Sequence, residues 1–272
     1  MNQRLFKDMN INICVCIKQV PASSNVKINP QTGTLVRDGN NTKMNPYDLY
    51  AIEMALKIKE LKDSQVKALT MGPPAATAIL QEAIWMGCDD GYLLTDRKFA
   101  GADVVATAYT IAQGIKYMGK CDLVVCGKQT TDGDTAQVGA ELAHFLKIPY
   151  VCYVDKIIEV KEKSIVVRCN LDKTYETVEI DFPCLITVEK SNESPRLPSY
   201  KRSVQYSDHQ MHTVTFDKLF DTDESRYGLK GSPTQVERMF NPIKDDSKTM
   251  LDEKDGDYAL QIKEILKDRK FI

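Results

Sequence analysis

The sequence contains no C-x-x-C pair, no G-x-G-x-x-G and no G-x-x-x-x-G-K-[ST]. Dithiol redox motifs, the dinucleotide fingerprint and the P-loop are therefore absent. No run of eighteen apolar residues occurs, and the opening MNQRLFKDMN lacks the apolar stretch of a signal peptide. The chain reads as soluble and cytoplasmic, with no membrane insertion. Charge of one sign is also missing: 36 basic residues against 38 acidic ones leave −2, which gives no bulk field to attract nucleic acid. Histidine is scarce. His144 falls in the middle of a helical pattern, and His209 and His212 in a polar stretch. No set of nucleophile, base and orienting group can be assembled, so no catalytic residue is assigned. The eight cysteines, Cys14, Cys16, Cys88, Cys121, Cys126, Cys152, Cys169 and Cys184, lie mostly inside apolar strand patterns. They read as buried free thiols in a reducing compartment, with zinc or iron–sulfur ligation as the competing reading.

What is present is regular. A chain of 272 residues, 43% of them hydrophobic, can bury one large core or two modest ones. INICVCIKQV (residues 11–20) reads as one buried strand and VKINPQTGTLVR (26–37) as a hairpin turning at Asn29 to Gly33. A helix starting near Pro46 carries Leu49, Ile52 and Leu56. Strand VKALTM, a helix from Pro74 to Met86, strand GYLLT, a helix from Ala102 to Met118 and strand DLVVC follow. This alternation predicts a parallel sheet with helices on both faces. After residue 150 the segments 153–170 and 173–189 read as antiparallel strands, with Lys161 to Lys163 as a turn. Residues 190–210 are polar, contain proline and show no period, as expected of an exposed arm. The tail ends in a short amphipathic helix using Leu260, Ile262, Ile265 and Leu266, too small to fold alone and expected to dock on a neighbour.

One stretch stands apart. After the strand Leu123 to Cys126 come nine small, polar or charged residues, Gly127 to Thr135, before a helix with Val138, Leu142, Phe145 and Leu146 on one face. Beyond the carboxyl end of a parallel strand, a helix N-terminus offers unpaired amides to a phosphate. Gly127, Gly133 and Gly139 allow close backbone approach, and Thr131, Thr135 and Gln137 can donate hydrogen bonds. Asp132 and Asp134 would repel a pyrophosphate unless engaged. Asp134 suits an N-cap, and Asp132 a ribose acceptor or turn former. An ordinary capped turn is the competing reading. The DGDTA within it differs from the D-x-D-x-T of aspartate-nucleophile phosphotransferases, because five residues separate the strand from Asp132.

Six segments, taken in order, resemble the beta subunit of electron transfer flavoproteins: CIKQVP (16–21), MNPYDLYAIEMAL (44–56), LTMGPPAA (69–76), CGKQTTDGDTAQVG (126–139), NESPRLPSY (192–200) and GLKGSPTQV (228–236). The resemblance runs from about residue 11 to 272 and implies a Rossmann-like, doubly wound α/β fold with C-terminal antiparallel strands and an extended partner-docking arm. Residues 1–190 would form the adenine-nucleotide and FAD domain, and 191–272 the recognition loop, arm and helical tail. It also implies a heterodimer with an alpha subunit that carries its own FAD. In the housekeeping branch the beta subunit holds only AMP; in the electron-bifurcating branch the same pocket holds a second FAD, which takes hydride from NADH. LLTDRKFAGADVVAT (93–107) and DGDTAQVG resemble the bifurcating branch. There the electrons divide between ferredoxin or flavodoxin and, through the alpha-subunit FAD, a flavin dehydrogenase such as an acyl-CoA dehydrogenase.

Carried over residue by residue, the resemblance places Cys16, Asn45 and Met71 at the adenosine. Gly127, Asp132, Gly133, Asp134, Thr135, Ala136, Gln137, Val138 and Gly139 would wrap the phosphates. Asn192, Glu193, Pro195, Arg196, Leu197, Pro198, Ser199 and Tyr200 fall in the loop that docks on a dehydrogenase. Tyr200 stands where the family commonly has leucine, and the following lysine run is reduced to Lys201 and Arg202, so the partner's identity stays open. A beta subunit that binds AMP structurally is the alternative, and a stand-alone adenine-nucleotide enzyme a weaker one.

Overall fold

The computed structural model describes residues 11–22, 41–191, 194–236, 248, 250–252 and 257–272. The hairpin expected at 26–37 lies outside them. In chain order the elements are β1 (Ile11–Cys16), β2 (Gln19–Pro21), β3 (Thr42–Met44), α1 (Pro46–Leu61), β4 (Ser64–Met71), α2 (Thr77–Met86), β5 (Asp90–Leu94), α3 (Val104–Met118), β6 (Leu123–Gly127), α4 (Val138–Leu146), β7 (Tyr150–Val160), β8 (Ser164–Asn170), β9 (Tyr175–Asp181), β10 (Cys184–Val188), α5 (Tyr200–Gln205), β11 (His212–Val214) and α6 (Tyr258–Asp268). The chain forms two compact units, residues 1–237 and 238–272.

Nine strands make one sheet in the order β11-β5-β4-β1-β6-β10-β7-β8-β9. From β11 to β7 every neighbouring pair is parallel, and β7, β8 and β9 pair antiparallel. The central strands alternate with period two, so each feeds both faces. Ile11, Ile13 and Val15 of β1, Leu123 and Val125 of β6 and Ile186 and Val188 of β10 pack under Ile52 and Leu56 of α1 and Leu80 and Ile84 of α2. Cys14, Val124 and Leu185 face the other way, onto Ala112 and Ile115 of α3 and Leu142 of α4. Helices thus cover both faces of a doubly wound sheet, as the alternation predicts.

Helix boundaries follow local chemistry. Pro46 sits in the first turn of α1, where its missing N–H is no loss. Asp103 caps α3 by accepting from the Ala106 N–H at 3.0 Å. From β1 the chain moves outward through β4 to β5, then returns to place β6 on the other side of β1. In open α/β sheets such a reversal puts a crevice beyond the carboxyl ends of the strands on either side of it, here β1 and β6.

Three expectations need correction. INICVCIKQV is not one strand: β1 stops at Cys16, and β2 leaves the sheet to pair with β3. Of the segment 173–189, β9 is antiparallel, but β10 runs parallel between β6 and β7. All five residues of β10 are buried, the pattern of an interior strand rather than of a half-solvated one. The polar arm also contains an element, α5, whose N-cap Ser199 accepts from the Arg202 N–H at 3.3 Å.

The stretch after the arm packs back on the sheet. β11 extends its edge beside β5, and Val214, Phe216, Leu219 and Tyr227 are buried against α3 and the turn after β5. In the second unit α6 is capped by Asp257, which accepts from the Ala259 N–H at 2.8 Å. Leu260, Ile262 and Ile265 on it are exposed.

Candidate functional site

The crevice is lined by strand ends. Cys16 closes β1, Met71 closes β4 and Gly127 closes β6, three neighbours in the sheet. Cys16 stands in register with Cys126. A hydrogen bond with Cys16 and burial push the Cys126 thiol well above its ordinary range, which leaves it neutral and unreactive. Asn45, fully buried at the entrance of α1, reaches into the loop after β6. Its Nδ2 donates to the Gln129 carbonyl at 2.8 Å, and its Oδ1 accepts from the Thr131 N–H at 3.3 Å. The fold therefore brings Cys16, Asn45, Met71 and the loop from Gly127 to Gly139 to one edge.

Two of the loop's glycines are required by contact. A Cβ on Gly127 would stand 2.3 Å from Asp48 Oδ1, and one on Gly139 would stand 2.5 Å from Thr187 Cγ2 of β10. The first lets β6 pass the entrance of α1, and the second lets α4 lie on the sheet. At Gly133 a Cβ would meet only Thr130 Oγ1 among the protein's atoms, at 3.5 Å, and its φ is not left-handed. The left-handed positions are Asp134 (φ 53°) and Ala136 (φ 54°). Two such residues so close together cost energy and re-aim the backbone just before α4.

Asp134 is not the N-cap either. α4 begins at Val138 behind Gln137, whose side chain makes no capping bond. Asp134 lies three residues too early and instead accepts from Gln129 Nε2. No side chain caps α4, and the amides of its first turn have no partner within the helix. Thr135 and Gln137 are exposed beside them.

The loop's carboxylates are answered within the protein. Lys18, just past β1, places its ammonium 2.8 Å from Asp132. Burial works against the charge on Asp132, and Lys18 overcomes this and holds it below the usual carboxylate range. Lys128 is turned away from the crevice to Glu189, at 2.5 Å. Two residues here were missed by reading the sequence, Lys18 and Asp48. Asp48 is 4% exposed, and its carboxylate accepts from the Lys18 N–H at 2.7 Å and from Asn45 Nδ2 at 2.9 Å. Burial pushes its carboxyl up to about 7, against the pull of these bonds and of the Lys18 charge. The signal was present in NPYD, an acid in the first helical turn beyond proline. Among the described residues no cluster of three or more metal-ligating side chains occurs.

Residues 32–210 match the electron transfer flavoprotein domain. The electron transfer flavoprotein subunit beta of Clostridium acetobutylicum is 45% identical over 228 residues, covering 84% of this chain and 87% of that protein. The chain belongs to the electron transfer flavoprotein beta-subunit family. Similar too are the caffeyl-CoA reductase-Etf complex subunit CarD of Acetobacterium woodii, 43% identical over 85% of this chain and 88% of that protein, and protein FixA of Azorhizobium caulinodans, 38% identical over 89% of each. Electron transfer flavoprotein beta subunits pair with an alpha subunit. No helix among the described residues is long and apolar enough to cross a membrane.

In this beta subunit the arm lies apart from the crevice. Asn192 and Glu193 lie outside the described residues. Arg196 is latched to α1, its Nε 2.8 Å from Glu53 and Nη1 2.8 Å from Glu60, and the Ser199 N–H donates to the Trp85 carbonyl at 3.0 Å. Between Pro195 and the first turn of α5, Leu197 (85% exposed) and Tyr200 (84%) face solvent, with Pro198 exposed beside them.

Asp48 yields a prediction with a definite sign. Its folded pKa lies above the ordinary 3.8, so its contribution to stability is complete below pH 4 and is lost as pH rises through about 7. Asp48→Asn, which cannot ionise, escapes that loss. Relative to wild type, the variant's unfolding free energy should rise between pH 4 and 7 by up to about 4 kcal/mol and then level off. Urea unfolding of both proteins at several pH values measures it, and a difference independent of pH would contradict it.

Proposed function

We propose that this beta subunit holds FAD in the crevice beyond β1 and β6 and works, with its alpha subunit, as an electron-bifurcating electron transfer flavoprotein. The observation carrying the proposal is the backbone cradle: a side-chain-free Gly127, left-handed Asp134 and Ala136, and an uncapped α4 aimed at one place. Such an entrance suits a diphosphate, since its donors are fixed main-chain amides and the loop carboxylates Asp132 and Asp134 are already engaged. Cys16, Asn45 and Met71 would border the adenosine. Bound there, FAD supplies hydride acceptance from NADH and passes electrons on to ferredoxin or flavodoxin and, through the alpha-subunit FAD, to a flavin dehydrogenase such as an acyl-CoA dehydrogenase. The chain's own residues bind and orient, and no acid–base group is required of them.

The segment TDRKFAGAD supports the bifurcating reading by its place. It follows β5 on the same sheet edge, and GLKGSPTQV is fastened to it: the Leu229 N–H donates to the Ala100 carbonyl at 3.0 Å and the Asp103 N–H to Ser232 Oγ at 2.8 Å. AMP, using the same strand ends, is the alternative occupant. Family membership favours a subunit over a stand-alone enzyme. The eight free cysteines fit a cytoplasmic setting, where thiols stay reduced. The exposed apolar face of α6 suits docking on the alpha subunit, and Leu197 and Tyr200 suit docking on a dehydrogenase.

Co-expression with the alpha subunit should give about two flavins per heterodimer, read by denaturing extraction and chromatography. One flavin plus one AMP would instead make the crevice a structural AMP site. For the arm, Tyr200→Ala should slow electron delivery to the partner dehydrogenase by about tenfold or more, as loss of an interface anchor does. NADH oxidation with an artificial acceptor should stay unchanged; equal loss of both rates would make Tyr200 a structural residue.

A further inference from the structure

We propose that Asp48 is the positioning residue of the crevice: its carboxylate fastens the turn after β1, the entrance of α1 and the end of β6 together, and so fixes where the loop from 128 to 137 stands. The inference rests on that crevice being the nucleotide site. Three donors from three segments converge on Asp48: the Lys18 N–H at 2.7 Å, Asn45 Nδ2 at 2.9 Å and the backbone N–H of Gly127. Each partner passes the constraint on. The Asn45 N–H donates to the Lys18 carbonyl at 2.9 Å, while its side chain holds Gln129 and Thr131. Lys18 in turn sets Asp132.

Asp48 is buried behind Gly127, so it acts through these residues rather than by touching a nucleotide. The ionised carboxylate holds all three donors through charge-assisted bonds and has an acceptor position to spare, and protonation weakens every one of them. A neutral carboxyl turns one acceptor position into an O–H, and none of the three partners offers that hydrogen an acceptor. The charged and titratable groups around it are Lys18 from the turn, Asp132 from the loop, Cys126 from β6 and, farther along the loop, the Lys128–Glu189 pair. The raised pKa of about 7 places the change of state near neutrality. Burying this carboxylate costs stability, and the return is a fixed loop, a trade that functional sites commonly make.

The test uses the purified heterodimer. Amide hydrogen exchange across residues 127–137 is measured at pH 6, 7 and 8 and expressed as protection factors, which removes the intrinsic pH effect on exchange. Release of adenine nucleotide is followed in parallel by gel filtration. In wild type, protection should fall by about fivefold from pH 8 to pH 6, the equivalent of one lost hydrogen bond, and release should quicken accordingly. Asp48→Asn should show the low protection at every pH. A flat wild-type profile, or a variant that tracks wild type, overturns the proposal. Should Asp48→Asn fail to assemble, the wild-type profile decides alone. Should the crevice yield no adenine nucleotide, the functional reading fails, while the protection profile still settles the role of Asp48.

Discussion

Residue 127 and Asp48 can share their places only if one of them has no side chain. The carboxylate oxygen that would meet a Cβ at 2.3 Å is the one that accepts from Asn45, and Asn45 holds the loop. From this contact the crevice follows. β6 can end beside α1, and α4 can begin with no side chain capping its amides. The reversal of strand order opens a space at the sheet edge. The glycine keeps it open.

The arrangement separates tasks physically. Charges near the crevice are consumed internally, Asp132 by Lys18, Lys128 by Glu189 and Asp134 by Gln129, so what remains for a ligand is backbone. Main-chain donors are rigid and need no reorganisation when an anion arrives. On the arm the reverse holds. Arg196 ties the segment to α1 through Glu53 and Glu60, and the exposed side chains beside it, Leu197 and Tyr200, are apolar or aromatic. In the proposed function the first region would hold a small polar group, and the second would offer an apolar contact from a fixed base.

Much of the fold was legible because period and punctuation agreed. The run from α1 through α3 followed the sequence segments closely, since each strand is a short apolar block and two of the helices start at a recognisable signal, Pro46 for α1 and Asp103 for α3. β10 was misread because a short apolar run fits an interior parallel strand as well as an antiparallel one, and only tertiary pairing decides between them. The loop was found by its position after β6, but its internal geometry was not. Glycine marks permission for a left-handed backbone, not its use. Gly133 does not use it, and Asp134 and Ala136 adopt it under constraint from their surroundings. Asp48 escaped notice because an acid in a first helical turn is ordinary; its meaning depends on Lys18 and Gly127, distant in sequence and adjacent in the fold.

The central claim is that the crevice is a backbone-lined nucleotide site kept open at Gly127, and the most direct measurement compares two alanine substitutions in the heterodimer. Gly127→Ala forces a methyl group against Asp48, whereas Leu197→Ala trims an exposed side chain on the arm, apart from the crevice. Adenine nucleotide retained per heterodimer beyond the alpha-subunit FAD should fall by about tenfold in Gly127→Ala, as expected of a displaced backbone in a packed site, and stay at the wild-type level in Leu197→Ala. Full retention in Gly127→Ala, with the protein folded and paired, would contradict the account and place the nucleotide elsewhere.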